Sequence, residues 1–189
     1  MKHNYLLKLS GFCGILLFVV AIITLVFSIL DNPWFNWTDY AISDLGSSNG
    51  SLIFFNGGVI LQGVLLLFFS LGFIKNSDDN NPGPRILLIS SYSLIGVGMF
   101  PLPSPIHFPV SCIFFISFTL SFLVFGLYKF KKSISFMRTM KIFAFVVTLY
   151  AFVSPLFLLF FTGVAISEMF IIFPGFLWCM VYSCKMLIE

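Results

Sequence analysis

Asp39, Asp44, Asn56, His107 and Glu168 are the residues through which this chain could do chemistry. Carboxylates beside an imidazole can share a proton or hold a divalent metal, and a neighbouring acid favours the cationic form of a histidine. A site of that kind could polarise an ester or phosphate oxygen of a lipid. The spacing matches no metal-binding motif, however, and the other histidine, His3, stands at the N-terminus. Each residue also has a structural reading. Asp44, just before Leu45 and Gly46, can cap a short turn through nearby backbone N–H groups. Asn56 can cap or bridge helices, His107 can snorkel to lipid headgroups, and Glu168 can sit at an interface, a turn away from Gly163.

What must position these residues is set by hydropathy. Apolar types make up 59% of the 189 residues and charged types 9%, a balance that calls for lipid as solvent. The apolar runs cover residues 9–30, 52–74, 86–100, 107–128, 142–162 and 168–187, most of them near the roughly 20 residues that cross a hydrocarbon core. Backbone groups in lipid must be satisfied internally, and the runs lack the alternation of barrel strands, so the spans are expected to be α-helices. The expected fold is all-α: a polytopic membrane protein, one integral domain over residues 1–189, built as a six-transmembrane-helix bundle. The third run is the short one and ends in a proline-rich stretch, Pro101 to Pro105.

Charge orients the bundle. The ten basic residues are Lys2, Lys8, Lys75, Arg85, Lys129, Lys131, Lys132, Arg138, Lys141 and Lys185, and breaks 31–51, 101–106 and 163–167 contain none. Positive-inside bias then places both termini in the cytoplasm. Asp31, Asp39, Asp44 and Glu168 fall on the outer side; Asp78, Asp79 and Glu189 fall on the inner one. Juxtamembrane orientation and contact with anionic headgroups explain the basic loop, so no nucleic-acid partner is expected. The first run is too long for a cleaved secretory signal and reads as a signal anchor. Cys13, Cys112, Cys179 and Cys184 all fall inside spans, which argues against a disulfide framework or a metal site.

The longest break is aromatic. Trp34, Phe35, Trp37 and Tyr40 suit the headgroup level, and the sequons at Asn36 and Asn49 agree with an outer location. At mid-depth the polar inventory is Thr24, Gln62, Thr119 and Thr148; none is ionisable, which argues against ion-coupled transport. Ser10 with Gly14, and Ser117 with Ser121, have the four-residue spacing of close-packing helix faces. Pro155 and Pro174 are expected to kink the last two helices.

Trp37, Thr38 and Asp39 through Ser43-Asp44-Leu45-Gly46, then Phe54-Phe55-Asn56-Gly57-Gly58 and Gly63, resemble the N-terminal signature of a group of small six-span proteins. Gly96-Val97-Gly98-Met99-Phe100-Pro101, with His107 heading the next span, is similar to its second signature. The group is domain-of-unknown-function family 998. The resemblance implies a Ser-Asp-Leu-Gly turn at Ser43 to Gly46, an Asn opening helix two at Asn56 and a His after helix three at His107. It supplies no reaction, ligand or cofactor. Two functions lead, with small-molecule transport a less favoured third. One is a non-enzymatic module in the lipid bilayer, binding a lipid or a partner membrane protein through its outer face; the other is a lipid-modifying enzyme with an outward Asp/His/Glu site. No metal or cofactor is specified.

Overall fold

The structure, a computed structural model, describes residues 2–47, 52–77, 80–128 and 135–188, with side chains from Tyr5 onward. The sequon at Asn49 and the charges of Lys2, Asp78, Asp79, Lys129, Lys131, Lys132 and Glu189 lie outside what is described. Six α-helices follow one another: α1 (Lys2–Asp31), α2 (Leu52–Asn76), α3 (Gly83–Met99), α4 (His107–Leu127), α5 (Ser135–Val153) and α6 (Ala165–Ile188). Short 3-10 helices, Ile42–Gly46 and Ser154–Leu159, precede α2 and follow α5.

Among the described residues five stretches are long and apolar enough to cross a membrane: Tyr5–Asp31, Leu52–Asn76, His107–Leu127, Ser135–Leu159 and Ala165–Ile188. The expectation of six spans therefore reduces to five or six. The doubtful one is α3, whose 17 residues rise about 25 Å, against a hydrocarbon core of about 30 Å. Its end is dictated locally. Phe100 precedes Pro101 and leaves the α region, at φ −119° and ψ 70°, as the proline ring requires of the residue before it. The protein is an all-α, multi-pass integral membrane bundle.

Helix five is displaced from its expected range of 142–162. It is already helical at Ser135, the first residue described after Tyr128, and carries Arg138 and Lys141 ahead of its apolar part, because a helix can run among headgroup-level cations before that part enters lipid. The Lys141 ammonium donates to the Tyr128 carbonyl at 2.7 Å, so that charge also closes the end of α4. At the other end Pro155 has no N–H to continue the ladder, and the chain tightens into the 3-10 helix at Ser154. Pro155 thus ends α5, whereas Pro174 is accommodated inside α6.

Helix α1 packs between α2 and α6, α2 packs on α3, α3 on α4, and α5 closes the ring between α4 and α6. The approach of α1 is close because its facing residues are small. A Cβ on Gly14 would collide with the Ser183 hydroxyl and lie 2.6 Å from the Phe69 ring, and one on Gly72 would strike Ser10. Small faces of this kind let helices meet where lipid offers no hydrophobic drive. Ser117 makes the other predicted contact, bonding the Ser90 hydroxyl at 2.8 Å.

The two ends of the bundle differ. Lys75 closes α2, Arg85 opens α3, Arg138 and Lys141 open α5 and Lys185 closes α6, so these cations share one end. That half is filled by rings: Trp178 is stacked with Tyr182 at 5.1 Å, and Phe73 and Phe125 lie 5.4 and 5.0 Å from Trp178. The Trp178 indole N–H is satisfied by the Met140 carbonyl at 2.9 Å. Asp31, Asp39, Asp44 and Glu168 occupy the opposite end, with the long loop after α1, and that half is hollow.

Candidate functional site

The loop that covers the hollow half is held by its polar residues. The Asn32 side-chain amide donates to the Ser28 carbonyl at 2.7 Å, satisfying one of the carbonyls left over at the end of α1. The Asn36 side-chain oxygen accepts the N–H groups of Thr38 and Asp39, each at 2.9 Å, an Asx turn that starts the return. Trp34 packs against Tyr40, and Phe35 against Trp37, with ring centroids 4.9 and 5.4 Å apart. The chain then runs beside the start of α6: Gly163 N–H donates to Thr38 O at 2.7 Å and Ala165 N–H to Tyr40 O at 3.0 Å.

Asp39 belongs to this seam. Its carboxylate accepts from the Asn36 amide at 2.6 Å and from the Thr162 hydroxyl at 3.1 Å. Those bonds, Asn36 first, hold its carboxyl below the usual carboxylate range. Asp44 turns inward to its own backbone: its Oδ2 accepts the Ala41 N–H at 2.7 Å. This is the return half of a capping box, and Ala41 has no side-chain oxygen to complete the other half. Asn56 donates to Gly46 O at 2.9 Å and to Leu52 O at 2.8 Å, tying the 3-10 helix to the first turn of α2. Glu168 ties it to α6, its Oε2 accepting the Ile42 N–H at 2.7 Å across 126 residues of sequence. His107 stands apart, buried, with Nδ1 2.9 Å from the Phe100 carbonyl.

Two of the sequence candidates therefore come together. Asp44 and Glu168 lie on either side of Ile42 and are close enough to interact electrostatically. Asn56 supports the same short helix from α2. Asp39 serves the outer seam, and His107 fastens the proline-rich turn to α4. Among the described residues no three His, Cys, Asp or Glu side chains gather as metal ligands.

Beneath the 3-10 helix lies a cavity of about 310 Å³. Ile42 and Ser43 form part of its wall, as do residues of α1, α2, α3, α4 and α6, among them Phe18, Leu25, Val59, Leu94, Phe114 and Phe176. Its polar lining residues are Thr24, Ser43, Gln62, Ser111 and Glu168. Gln62, 7% exposed, makes no hydrogen bond to any described residue. Burying an amide without a partner costs roughly 1–3 kcal/mol by mutational measures, so a hollow lined by one is a place where something polar fits.

The sequence signal for this site was a lone amide in the middle of an apolar helix. What residue types do not show is the void beside it, because a void depends on how five helices pack.

The family described as Protein of unknown function (DUF998) matches residues 12–185. The chain belongs to that family. The match runs from the first turns of α1 to the last turn of α6, so this DUF998 chain carries both the sealed half and the hollow half within the family's span. No curated protein matches the DUF998 chain, and no solved structure does.

Proposed function

We propose that the protein is a non-enzymatic membrane module that takes an amphipathic lipid into the cavity beneath the 3-10 helix, from the side of the long loop. The observation that carries this reading is the pairing of an apolar cavity with Gln62, a residue 7% exposed that lines it and whose amide has no partner among the described residues. Ligand sites combine apolar walls with few polar groups in this way. The catalytic alternative has less behind it. Among the described residues Glu168 is the one titratable side chain in the lining, and His107 is bonded to a backbone carbonyl elsewhere. Nucleophilic or acid–base chemistry needs a second group within hydrogen-bond reach.

The test is lipid retention by the purified protein. Val59 is buried and faces the cavity, so Val59→Phe fills space that a ligand would occupy. Native mass spectrometry in a non-ionic detergent should find a lipid adduct on the wild-type chain, reduced by about tenfold or more in the variant, a change worth about 1.4 kcal/mol of binding. Equal retention by a folded Val59→Phe protein would remove the cavity as the site.

The same proposal sets the long loop outside the cell and both termini inside, supported by the cations at one end of the bundle and the positive-inside rule. In a cysteine-free background, Ser47→Cys should react with an impermeant maleimide on intact cells, and Asn80→Cys only after permeabilisation. Both side chains are exposed. The reverse pattern, or labelling of both from outside, would overturn the orientation.

A further inference from the structure

We infer that the amphiphile held in the cavity carries a protonated amino group, received by the Glu168 carboxylate at the loop end of the cavity, on a single apolar chain. This rests on the lipid-binding reading above and assigns its ligand class. The argument begins with unspent hydrogen-bonding capacity. A carboxylate offers about four acceptor positions, and the one described bond to Glu168 is that from the Ile42 N–H. Gln62, nine-tenths buried, has no hydrogen-bond partner for its amide among the described residues, and neither has the Thr24 hydroxyl beside the same cavity. An ammonium brings three donors and no acceptor, which is the complement of a carboxylate; Glu168 stands in the first turn of α6 to receive it, while Gln62, ten residues into α2, lines the deeper part of the cavity.

Charge points the same way. Asp44 lies close enough to Glu168 to interact with it, and Asp31 and Asp39 share that end of the bundle. Among the described residues no Lys or Arg stands there, since Lys8, Lys75, Arg85, Arg138, Lys141 and Lys185 all lie near helix ends at the other end of the bundle. A carboxylate lining an apolar cavity calls for a counter-charge, and the protein supplies none on this side. An anionic head would meet like charge, which complementary sites avoid. The cavity, about 310 Å³, is at the small end of the range of roughly 300–1,000 Å³ for ligand pockets, a size for one chain rather than two.

The experiment compares dodecylamine, dodecanol and dodecanoate at neutral pH, titrated into delipidated protein in a non-ionic detergent and read by native mass spectrometry. Wild type should take dodecylamine at least about tenfold more tightly than dodecanol, as a charge-assisted hydrogen bond gives over a neutral one, and dodecanoate most weakly. Glu168→Gln keeps an oxygen for the Ile42 N–H, so the cap stays closed, and it should bring dodecylamine down to the level of dodecanol with dodecanol itself unchanged. Dodecanoate binding as tightly as the amine, or an amine preference that survives Glu168→Gln, would overturn the inference. If dodecanol or dodecanoate binds best and Val59→Phe abolishes that binding, the lipid cavity stands and only the amine is wrong. If wild type binds none of the three, both readings fall.

Discussion

Gly163→Ala should lower the thermal unfolding midpoint of the detergent-solubilised protein sharply, with Gly163→Val failing to accumulate in the membrane at all. A Cβ at Gly163 would lie 2.5 Å from the Asp39 carbonyl carbon and from the Tyr40 carbonyl oxygen, and closer still to the Tyr40 nitrogen. All three are backbone atoms, and no side-chain rotation can move them away. The two hydrogen bonds of the seam, Gly163 N–H to Thr38 O and Ala165 N–H to Tyr40 O, hold the chains at that distance. Relief requires separating them. Overpacking of a tight contact costs about 1–3 kcal/mol and sometimes more, and here the loss reaches further, because the seam aligns Ile42 with Glu168. The control is Gly57 in α2, where a Cβ would meet nothing within 4 Å. Gly57→Ala should be neutral or stabilising by about 0.5–1 kcal/mol, the usual helical preference for alanine over glycine. If Gly163→Ala is as stable as Gly57→Ala, the long loop does not lie on the start of α6.

The seam also shows where sequence reading reaches and where it stops. Hydropathy and charge placed Asp39, Asp44, Asn56, His107 and Glu168 at one end of a helical bundle, since a membrane span leaves few choices about which loop shares a side with which. That reasoning works at the scale of helices. Within that end, Asp44 went to Ala41, Asn56 to Gly46, and His107 to Phe100, all within ten residues or fewer of themselves. Such local bonds compete with any long-range cluster, and short polar side chains next to free backbone groups take the nearest partner. Asp39 and Glu168 reach across the chain, Asp39 to the Thr162 hydroxyl and Glu168 to the Ile42 backbone N–H, and a backbone partner is one that no residue type announces.

Helix ends were legible to the extent that side chains dictate them. Pro101 stopped α3, and Pro155 stopped α5, the second more abruptly than a kink. Helix α5 is already formed at Ser135, ahead of the apolar run that opens at 142, because a hydropathy boundary marks where lipid begins and a helix can begin in the headgroups. The cavity was not legible at all. Phe114, Phe118, Phe122 and Phe125 recur along α4, and the last two fill the basic half around Trp178, while Phe114 only walls the hollow one. The same residue type at helical spacing seals one half and lines a void in the other, according to what α6 brings opposite it.

Two amides on α2, six residues apart, should respond to the same substitution in opposite directions. Asn56 is satisfied by the protein, donating to Gly46 O and Leu52 O, and Gly46 is pressed so close that a Cβ there would strike the Asn56 side chain. Asn56→Leu removes the donor and leaves the Gly46 carbonyl buried without it, at a cost of about 1–3 kcal/mol. Gln62 has no described partner, so Gln62→Leu removes a desolvated polar group and adds apolar surface to an apolar wall. Its effect on the delipidated protein should be a gain of about 1 kcal/mol, at the low end of the desolvation range because water in the cavity offers partial compensation. The gain should come with a loss of lipid retention, since a group kept at the expense of stability is one kept for a ligand. Thermal unfolding of the two variants, with and without added lipid, checks both halves. Asn56→Leu should fall below wild type in either condition; Gln62→Leu should exceed wild type without lipid and lose the stabilisation that lipid gives. Should Gln62→Leu instead destabilise the delipidated protein as much as Asn56→Leu does, Gln62 is a structural amide, and the cavity has no polar group waiting to be filled.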